Sequence, residues 1–238
     1  MKTFFITGTD TEIGKTFSTV ALTRALRAAG QRVAVLKPVA SGCERIDGIW
    51  QNDDARALRA AAENDQDYAS VNPLALIPAI APHIAAQEAG VDLSVARLLQ
   101  LTQATRTRSD DVLLIEGAGG FLVPLNDRES YADFVQALQL PVILVVGMRL
   151  GCINHALLSA EAIRARGLRL AGWVANSPQP TMNRFAENLG YLREHLPAPL
   201  LAEIPWQAER PEQGFAGQLS SLLGEMGPRH AGGAPDRR

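Results

Sequence analysis

This 238-residue chain holds two cysteines, four histidines and three lysines, and each shortage excludes something. Cys43 and Cys152 stand far apart and fit no metal-ligating spacing, so a reduced, cytoplasmic setting is expected rather than a disulfide framework. His83, His155, His195 and His230 show no metal spacing, and no Ser-His-Asp or Cys-His arrangement can be argued from them. Positive charge gathers into no stripe before the extreme C-terminus, and the net charge is −2, which argues against nucleic acid as the main partner. No apolar run is long enough for a membrane span, and the opening MKTFFITGTD has too brief an apolar stretch for a signal peptide.

Lysine usage turns from absence to signal. Lys2, Lys15 and Lys37 stand against twenty arginines, so a generic positive charge is mostly arginine here. Lysine differs as a compact point charge on a flexible stem. Lys15 and Lys37 both fall in turns that follow apolar strands, although compositional chance also accounts for one such placement.

With 47% hydrophobic and 20% charged residues, a substantial core is expected. Short apolar runs predict strands at TFFIT (3–7), RVAVLK (32–37), DVLLIE (111–116), PVILVVG (141–147), LAGWVAN (170–176) and PLLAEIP (199–205). Helical patterns lie between them: 15–29, closed by Gly30; from Asp53; after Asp92 or Ser94; from Glu129; from Ile153 to Gly167; from Thr181; and FAGQLSSLLGEM. Residues 68–82 carry Pro73, Pro78 and Pro82 and are expected to be loop or irregular edge. Continuous apolar strands alternating with helices predict an α/β fold, a mostly parallel sheet covered by helices on both faces. Residues 1–226 are expected to form one domain, and the Gly-, Pro- and Arg-rich 227–238 a disordered tail.

In such a sheet, ligands bind beyond the carboxyl ends of the strands. Six polar or Gly-rich turns follow the six strands, so they share one rim. The first, GTDTEIGKT (8–16), is a strand, a Gly-bounded loop and a GKT that opens a helix, the context of a phosphate-binding loop. Five residues separate Gly8 from Gly14, where the usual spacing has four. In this setting Lys15 neutralises phosphate and the Thr16 hydroxyl reaches Mg²⁺. Glu116 ends a buried strand, where a carboxylate needs a cation or a metal. Asp54 fits either a metal ligand or an acid complementing a helix dipole, with Asp53 as its competitor. Asn176 fits a base contact or a simple turn role. No N-K-x-D base signature is present.

Taken together, GTDTEIGKT, KPVASG, NDDA, VNP, APH, EGAGGFLVPL, LPVILVVGMRLGCINHALL, LAGWVAN and PAPLLAEIPW resemble the dethiobiotin synthetases, P-loop NTPase-like enzymes; these segments run from residue 3 to about residue 212. The widened glycine spacing is itself a feature of that family. The resemblance implies an ATP- and Mg²⁺-dependent ligase that closes the ureido ring of dethiobiotin from 7,8-diaminononanoate and CO2, through a carbamate and its phosphorylated form. It implies a homodimer. Lys37 and Lys15 are then catalytic, and Thr11, Ser41, Gly151, Cys152 and Asn154 bind substrate, the last three across the subunit interface. Thr16, Asp54 and Glu116 serve Mg²⁺. Nucleotide contacts are implied for Glu12, Ile13, Gly14, Lys15, Thr16, Phe17, Asp54, Glu116, Gly117, Ala118, Gly119, Asn176, Ser177, Pro205, Trp206, Gln207 and Glu212. Cys43 and the basic tail depart from the pattern. A related amidoligase would need a glutaminase that this chain is too short to carry. A partitioning ATPase would carry a further lysine early in the loop, and residues 8–13 contain none.

Overall fold

The computed structural model describes residues 1–224. The elements run β1 (Lys2–Gly8), α1 (Lys15–Ala28), β2 (Val33–Leu36), β3 (Val39–Ala40), β4 (Glu44–Ile46), β5 (Ile49–Gln51), α2 (Asp53–Ala62), α3 (Tyr68–Val71), β6 (Leu74–Ala75), α4 (Pro82–Ala89) and α5 (Val95–Arg106). They continue with β7 (Val112–Gly120), α6 (Tyr131–Ala137), β8 (Val142–Gly147), α7 (Cys152–Ala165), β9 (Leu170–Asn176), α8 (Phe185–His195), β10 (Leu200–Ile204), a 3₁₀ turn (Pro211–Phe215) and α9 (Leu219–Leu223).

Six strands form one parallel sheet in the order β10-β9-β8-β1-β7-β2. The chain first steps from β1 across to β2, fills the gap with β7, then adds β8, β9 and β10 on the other side. The strand order therefore reverses around β1, and the crevice at such a switch point opens above the loop that follows β1.

Successive side chains leave opposite faces of a strand. Phe4 and Ile6 enter a core with Leu22 and Leu26 of α1 and Leu58 of α2. Phe5 enters the other, with Leu98 of α5, Phe134 of α6 and Trp173 of β9. All six residues of β8 are buried, which explains why it reads as an unbroken apolar run. Removing a side chain such as Phe5, fully buried between layers, costs about 3–5 kcal/mol.

The sheet register builds the site. Leu36 pairs with Ile115, so the next residues, Lys37 and Glu116, emerge side by side. Gly8 pairs with Val145 and Gly147 with Asn176, which lines up the ends of β1, β8 and β9.

Three local expectations are corrected. Residues 68–82 hold α3 and the short β6, and Pro82 opens α4 at its first turn, where its missing N–H is harmless. Residues 44–51 form an unforeseen hairpin, β4 with β5, turned by Asp47 and Gly48 at positive φ. The helix expected from Phe215 starts later, as α9 at Leu219; a 3₁₀ turn ends at Phe215, and Gly217 lies in the break between them. The tail expected at 227–238 lies outside the described residues.

Candidate functional site

The first turn is a widened loop pinned from beneath. Glu12 adopts the left-handed region at φ 58 and lets the extra residue in. Ile13 then points down and is buried, with its carbonyl accepting a 2.7 Å bond from Asn176 Nδ2. Space for that plug exists because Gly147 has no side chain: a Cβ there would lie 2.5 Å from Ile13 Cγ2. Gly14 follows at φ 80, and a Cβ on it would meet Asn176 Nδ2 at 2.2 Å. α1 starts at Lys15 with no side-chain cap, so its first N–H groups are free for an anion.

Over this loop lies a cleft of ≈ 820 Å³, with Lys15, Thr16, Lys37, Ser41, Asp54 and Gly119 in its wall. At its floor, Lys37 Nζ sits 2.7 Å from Glu116 Oε1 and 3.0 Å from Asp54 Oδ2. The Thr16 hydroxyl donates to Glu116 Oε1 at 2.8 Å, and Lys15 Nζ stands 3.9 Å from the same oxygen. Two ammonium groups thus face two carboxylates, the pairing that buried charges require.

The burial of Glu116 favours its neutral form, but Lys37 and then Lys15 outweigh it, and its pKa is lowered. Burial opposes the Lys37 charge too, and Glu116 with Asp54 reverses that, holding its pKa above the ordinary lysine value. For Lys15 burial prevails over Glu116, and its pKa is lowered. For Asp54, burial is overcome by Lys37, with hydrogen bonds from Lys37 and Thr16, and the net direction is down.

The two competing acids separate. Asn52 caps α2 through bonds from Asp54 N at 3.0 Å and Ala55 N at 3.4 Å. Asp53 turns outward to Arg56 at 3.1 Å, whereas Asp54 turns inward to Lys37. Sequence reasoning gave Asn52 and Asn72 no individual roles. Asn52 Nδ2 donates to Ser41 O at 3.1 Å, and Asn72 Nδ2 donates to Lys37 O at 2.8 Å. Asn72 lies in the VNP segment, and Asn52 in NDDA, so the segments carried the signal without the contacts. Ser41 Oγ is buried without a partner beside the cleft, as is Glu116 Oε2 at its floor.

Thr11, Glu12, Gly14, Phe17 and Ala118 also border the cleft. Ile13, Gly117 and Asn176 lie behind it: Gly117 packs against Phe5, where a Cβ would come within 2.6 Å of Cζ. Ser177, Pro205 and Trp206 border a separate hollow of ≈ 470 Å³ past the ends of β9 and β10. Gln207 follows at φ 51, and Glu212 lies in the 3₁₀ turn. Gly151, Cys152 and Asn154 are not brought to the cleft within one chain; they start α7, with Gly151 and Asn154 exposed, Cys152 buried beneath them and Leu150 beside them 95% exposed. Burial raises the Cys152 thiol pKa, so it is no ready nucleophile. Among the described residues no helix is long and apolar enough to cross a membrane.

A parallel sheet with a GKT loop at its switch point, and acids facing lysines above it, defines a phosphate-loop nucleotide-dependent protein. A family model described as an AAA domain matches residues 2–212. The MinC:MinD cell division complex of Aquifex aeolicus is similar at TM-score 0.55 and 12% identity, over 96% of this chain and 98% of that one, which shows the fold alone. Curated relatives are closer. The ATP-dependent dethiobiotin synthetase BioD of Pseudomonas aeruginosa is 53% identical over 219 residues, 92% of this chain and 96% of that one. The protein of the same name from Marinobacter nauticus is 52% identical over 205 residues, 86% and 88% of the two chains. The one from Xanthomonas axonopodis is 51% identical over 204 residues, 86% and 91%. The chain belongs to the ATP-dependent dethiobiotin synthetase family, whose members are ligases of biotin biosynthesis.

Proposed function

We propose that this cleft joins CO2 to the two amines of 7,8-diaminononanoate at the expense of ATP, with Lys37 and Lys15 as the catalytic residues. One amine takes up CO2 as a carbamate. A carbamate oxygen attacks the γ-phosphorus of ATP and ADP leaves. The second amine then attacks the carbamate carbon, expels phosphate and closes the five-membered ring. These steps need positioning and charge neutralisation more than covalent help. In this reading Lys37 holds the carbamate and the phosphoryl group in transit, and Lys15 holds the phosphates. The observation that carries this reading is the meeting of both lysines with Glu116 and Asp54 on one cleft floor.

The donor set fits Mg²⁺. Thr16 Oγ1, Asp54 and Glu116 are hard oxygen donors, and Glu116 Oε2 is a buried acceptor with no partner. Among the described residues no group of three His, Cys, Asp or Glu side chains is placed to hold a metal, so phosphate oxygens are needed to complete the shell. When bound, the ion would neutralise charge on the transferring phosphoryl group. Thr11 and Ser41 face the cleft where the diamine end lies in this reading. The start of α7, with Gly151, Cys152 and Asn154, offers N–H groups to the substrate's carboxylate. Its position outside the cleft supports a homodimer in which one chain serves the other's site. Asn176, Ser177, Pro205, Trp206, Gln207 and Glu212 belong to the base and ribose end.

The test is ATP consumption by the purified protein with diamine and bicarbonate added singly and together. Turnover only with both is expected. Equal hydrolysis without the diamine overturns the reading.

A further inference from the structure

We propose that Tyr68 is a positioning residue for the cleft floor: its hydroxyl sets, through two asparagines, how far Asp54 stands from Lys37. This role rests on the reading above, in which Asp54 serves Mg²⁺ and Lys37 holds the group in transfer.

The two charged residues reach the floor from separate elements. Lys37 follows β2, and Asp54 lies in the first turn of α2. Behind the cleft their backbones are joined by a run of hydrogen bonds with the phenol at its centre. The Tyr68 hydroxyl accepts the Asn52 backbone N–H at 2.7 Å and donates to Asn72 Oδ1 at 3.0 Å. An N–H cannot accept and an amide oxygen cannot donate, so the hydroxyl's one proton belongs to Asn72. On one side, Asn52 Oδ1 takes the Asp54 N–H at 3.0 Å, and Asn52 Nδ2 donates to Ser41 O at 3.1 Å. On the other, Asn72 Nδ2 donates to Lys37 O at 2.8 Å and to Leu74 O at 3.2 Å.

Tyr68 is itself firmly seated. Its carbonyl accepts Asn72 N at 2.8 Å, Lys37 N donates to Val71 O at 2.7 Å, and Thr105 Oγ1 ties Ser70 O to α5 at 3.0 Å. Tyr68 and Asn72 are both buried, so bulk water does not stand in for the phenol. At the cleft face, Lys37 Nζ and Asp54 Oδ2 meet at 3.0 Å and close the run into a ring. In the reading above that contact opens, because Lys37 turns to the carbamate and Asp54 to the ion. The link behind the cleft then governs the spacing of the two backbones, and a misplacement of about 1 Å in such a site costs up to about 10²-fold in rate. Lys15 and the start of α1 take no part in these bonds, so the hold on the phosphates should not register their loss.

The experiment uses Tyr68→Phe in the full chain, which removes the hydroxyl and keeps the ring. Its kcat is expected to fall about tenfold, with KM for diamine and for ATP within about threefold of wild type. Calorimetry reads the site without turnover. ATP in the presence of EDTA should bind within about twofold of wild type, whereas the gain in affinity on adding Mg²⁺ should shrink about fivefold. Asn72→Ala cuts the same link one bond further on. The double variant should be no slower than Asn72→Ala alone, because the link is lost once. Urea unfolding establishes that each variant is folded under assay conditions. A folded Tyr68→Phe with wild-type kcat, an ATP KM that rises in parallel, or a double variant whose loss is the product of the singles overturns the proposal. So does a Tyr68→Phe that does not fold, since the hydroxyl would then hold the fold rather than the site. Wild-type ATP turnover that ignores the diamine overturns the functional reading itself; a diamine-dependent wild type beside an unimpaired Tyr68→Phe overturns the link alone.

Discussion

Lys37 Nζ lies 2.7 Å from Glu116 Oε1, inside the fold, with Asp54 Oδ2 on its other side at 3.0 Å. The ammonium stands between the two carboxylates proposed for the metal, and the Lys37 backbone carbonyl accepts a bond from Asn72 Nδ2. Lys37 is thus held at its backbone and at the tip of its side chain. Lys37→Gln keeps much of the shape and loses the charge. Turnover should fall by about 10³-fold or more, the scale of removing a cation from a phosphoryl-transfer site. ATP binding, followed by calorimetry, should change within about threefold, since Lys15 and the α1 N-terminus remain. Full activity in this variant refutes the assigned role.

Gly14 and Asn176 are packed too closely for a methyl group between them. Gly14→Ala adds a Cβ that would meet Asn176 Nδ2 at 2.2 Å, on backbone at φ 80. ATP affinity should drop at least about tenfold, because the loop and the start of α1 must shift together. Asn176→Ala leaves the Ile13 carbonyl without its buried partner, at a cost of about 1–3 kcal/mol in unfolding measurements. Combining the two removes the clash but not the strain at positive φ, so ATP affinity should recover only in part. Wild-type affinity in Gly14→Ala would show that the loop opens freely there.

Much of this was legible in the sequence, and the exceptions have physical causes. β2, β8 and β9 are buried along their whole length and β1 and β7 over most of it, so they read as apolar runs that need no partner to be seen; only the edge strand β10 is broken, by the exposed Glu203. Lys15, Lys37 and Glu116 stood out as a scarce residue type or as a charge ending an apolar strand. The hairpin at 44–51 is mostly exposed and carries no alternation, so nothing in it distinguishes strand from loop. In the sequence Pro82 reads as a breaker beside Pro73 and Pro78, whereas at a helix's first turn proline is a starter. The choice between Asp53 and Asp54 depends on the rotation of α2 against β2, a tertiary fact. Asn176 was legible as a strand-end amide. Its bond to Ile13, 163 residues earlier in the chain, was not.

Asp133 gives a pH-dependent prediction away from the cleft. Its carboxylate accepts from Ser130 N and Ser130 Oγ, both at 2.7 Å, and pairs with Arg166, joining the start of α6 to the end of α7. Burial pushes its pKa up, but the Ser130 and Arg166 hydrogen bonds outweigh that, and the net shift is downward from 3.8. A depressed carboxyl pKa means the folded state binds the proton less tightly than the unfolded one. The contribution is therefore complete above pH 3.8 and fades as pH falls through the lower folded value. Asp133→Asn should cost about 1 kcal/mol at pH 7, the scale of a lost helix cap. Urea unfolding at several pH values should show the gap between variant and wild type closing on acidification. A gap that stays constant down to pH 3 would mean the charge plays no part.

The extra residue of the phosphate loop admits the sharpest test. Glu12 takes the left-handed turn, and the residues after it stay tied down: Ile13 by Gly147 and Asn176, Gly14 by its place at the head of α1. Deleting Glu12 restores the usual glycine spacing, and the slack must come from the side that is less firmly held. That side is Thr11, exposed and, among the described residues, fastened through its N–H to Asp10 Oδ1. The start of α1, with Lys15 and Thr16, should keep its hold on phosphate, while Thr11 swings away from the cleft wall at Gly119. The diamine KM should rise about 10²-fold, with ATP affinity changed only a few-fold. A deletion that abolishes ATP binding and spares the diamine would return the whole loop to the nucleotide, and Thr11 would lose its role.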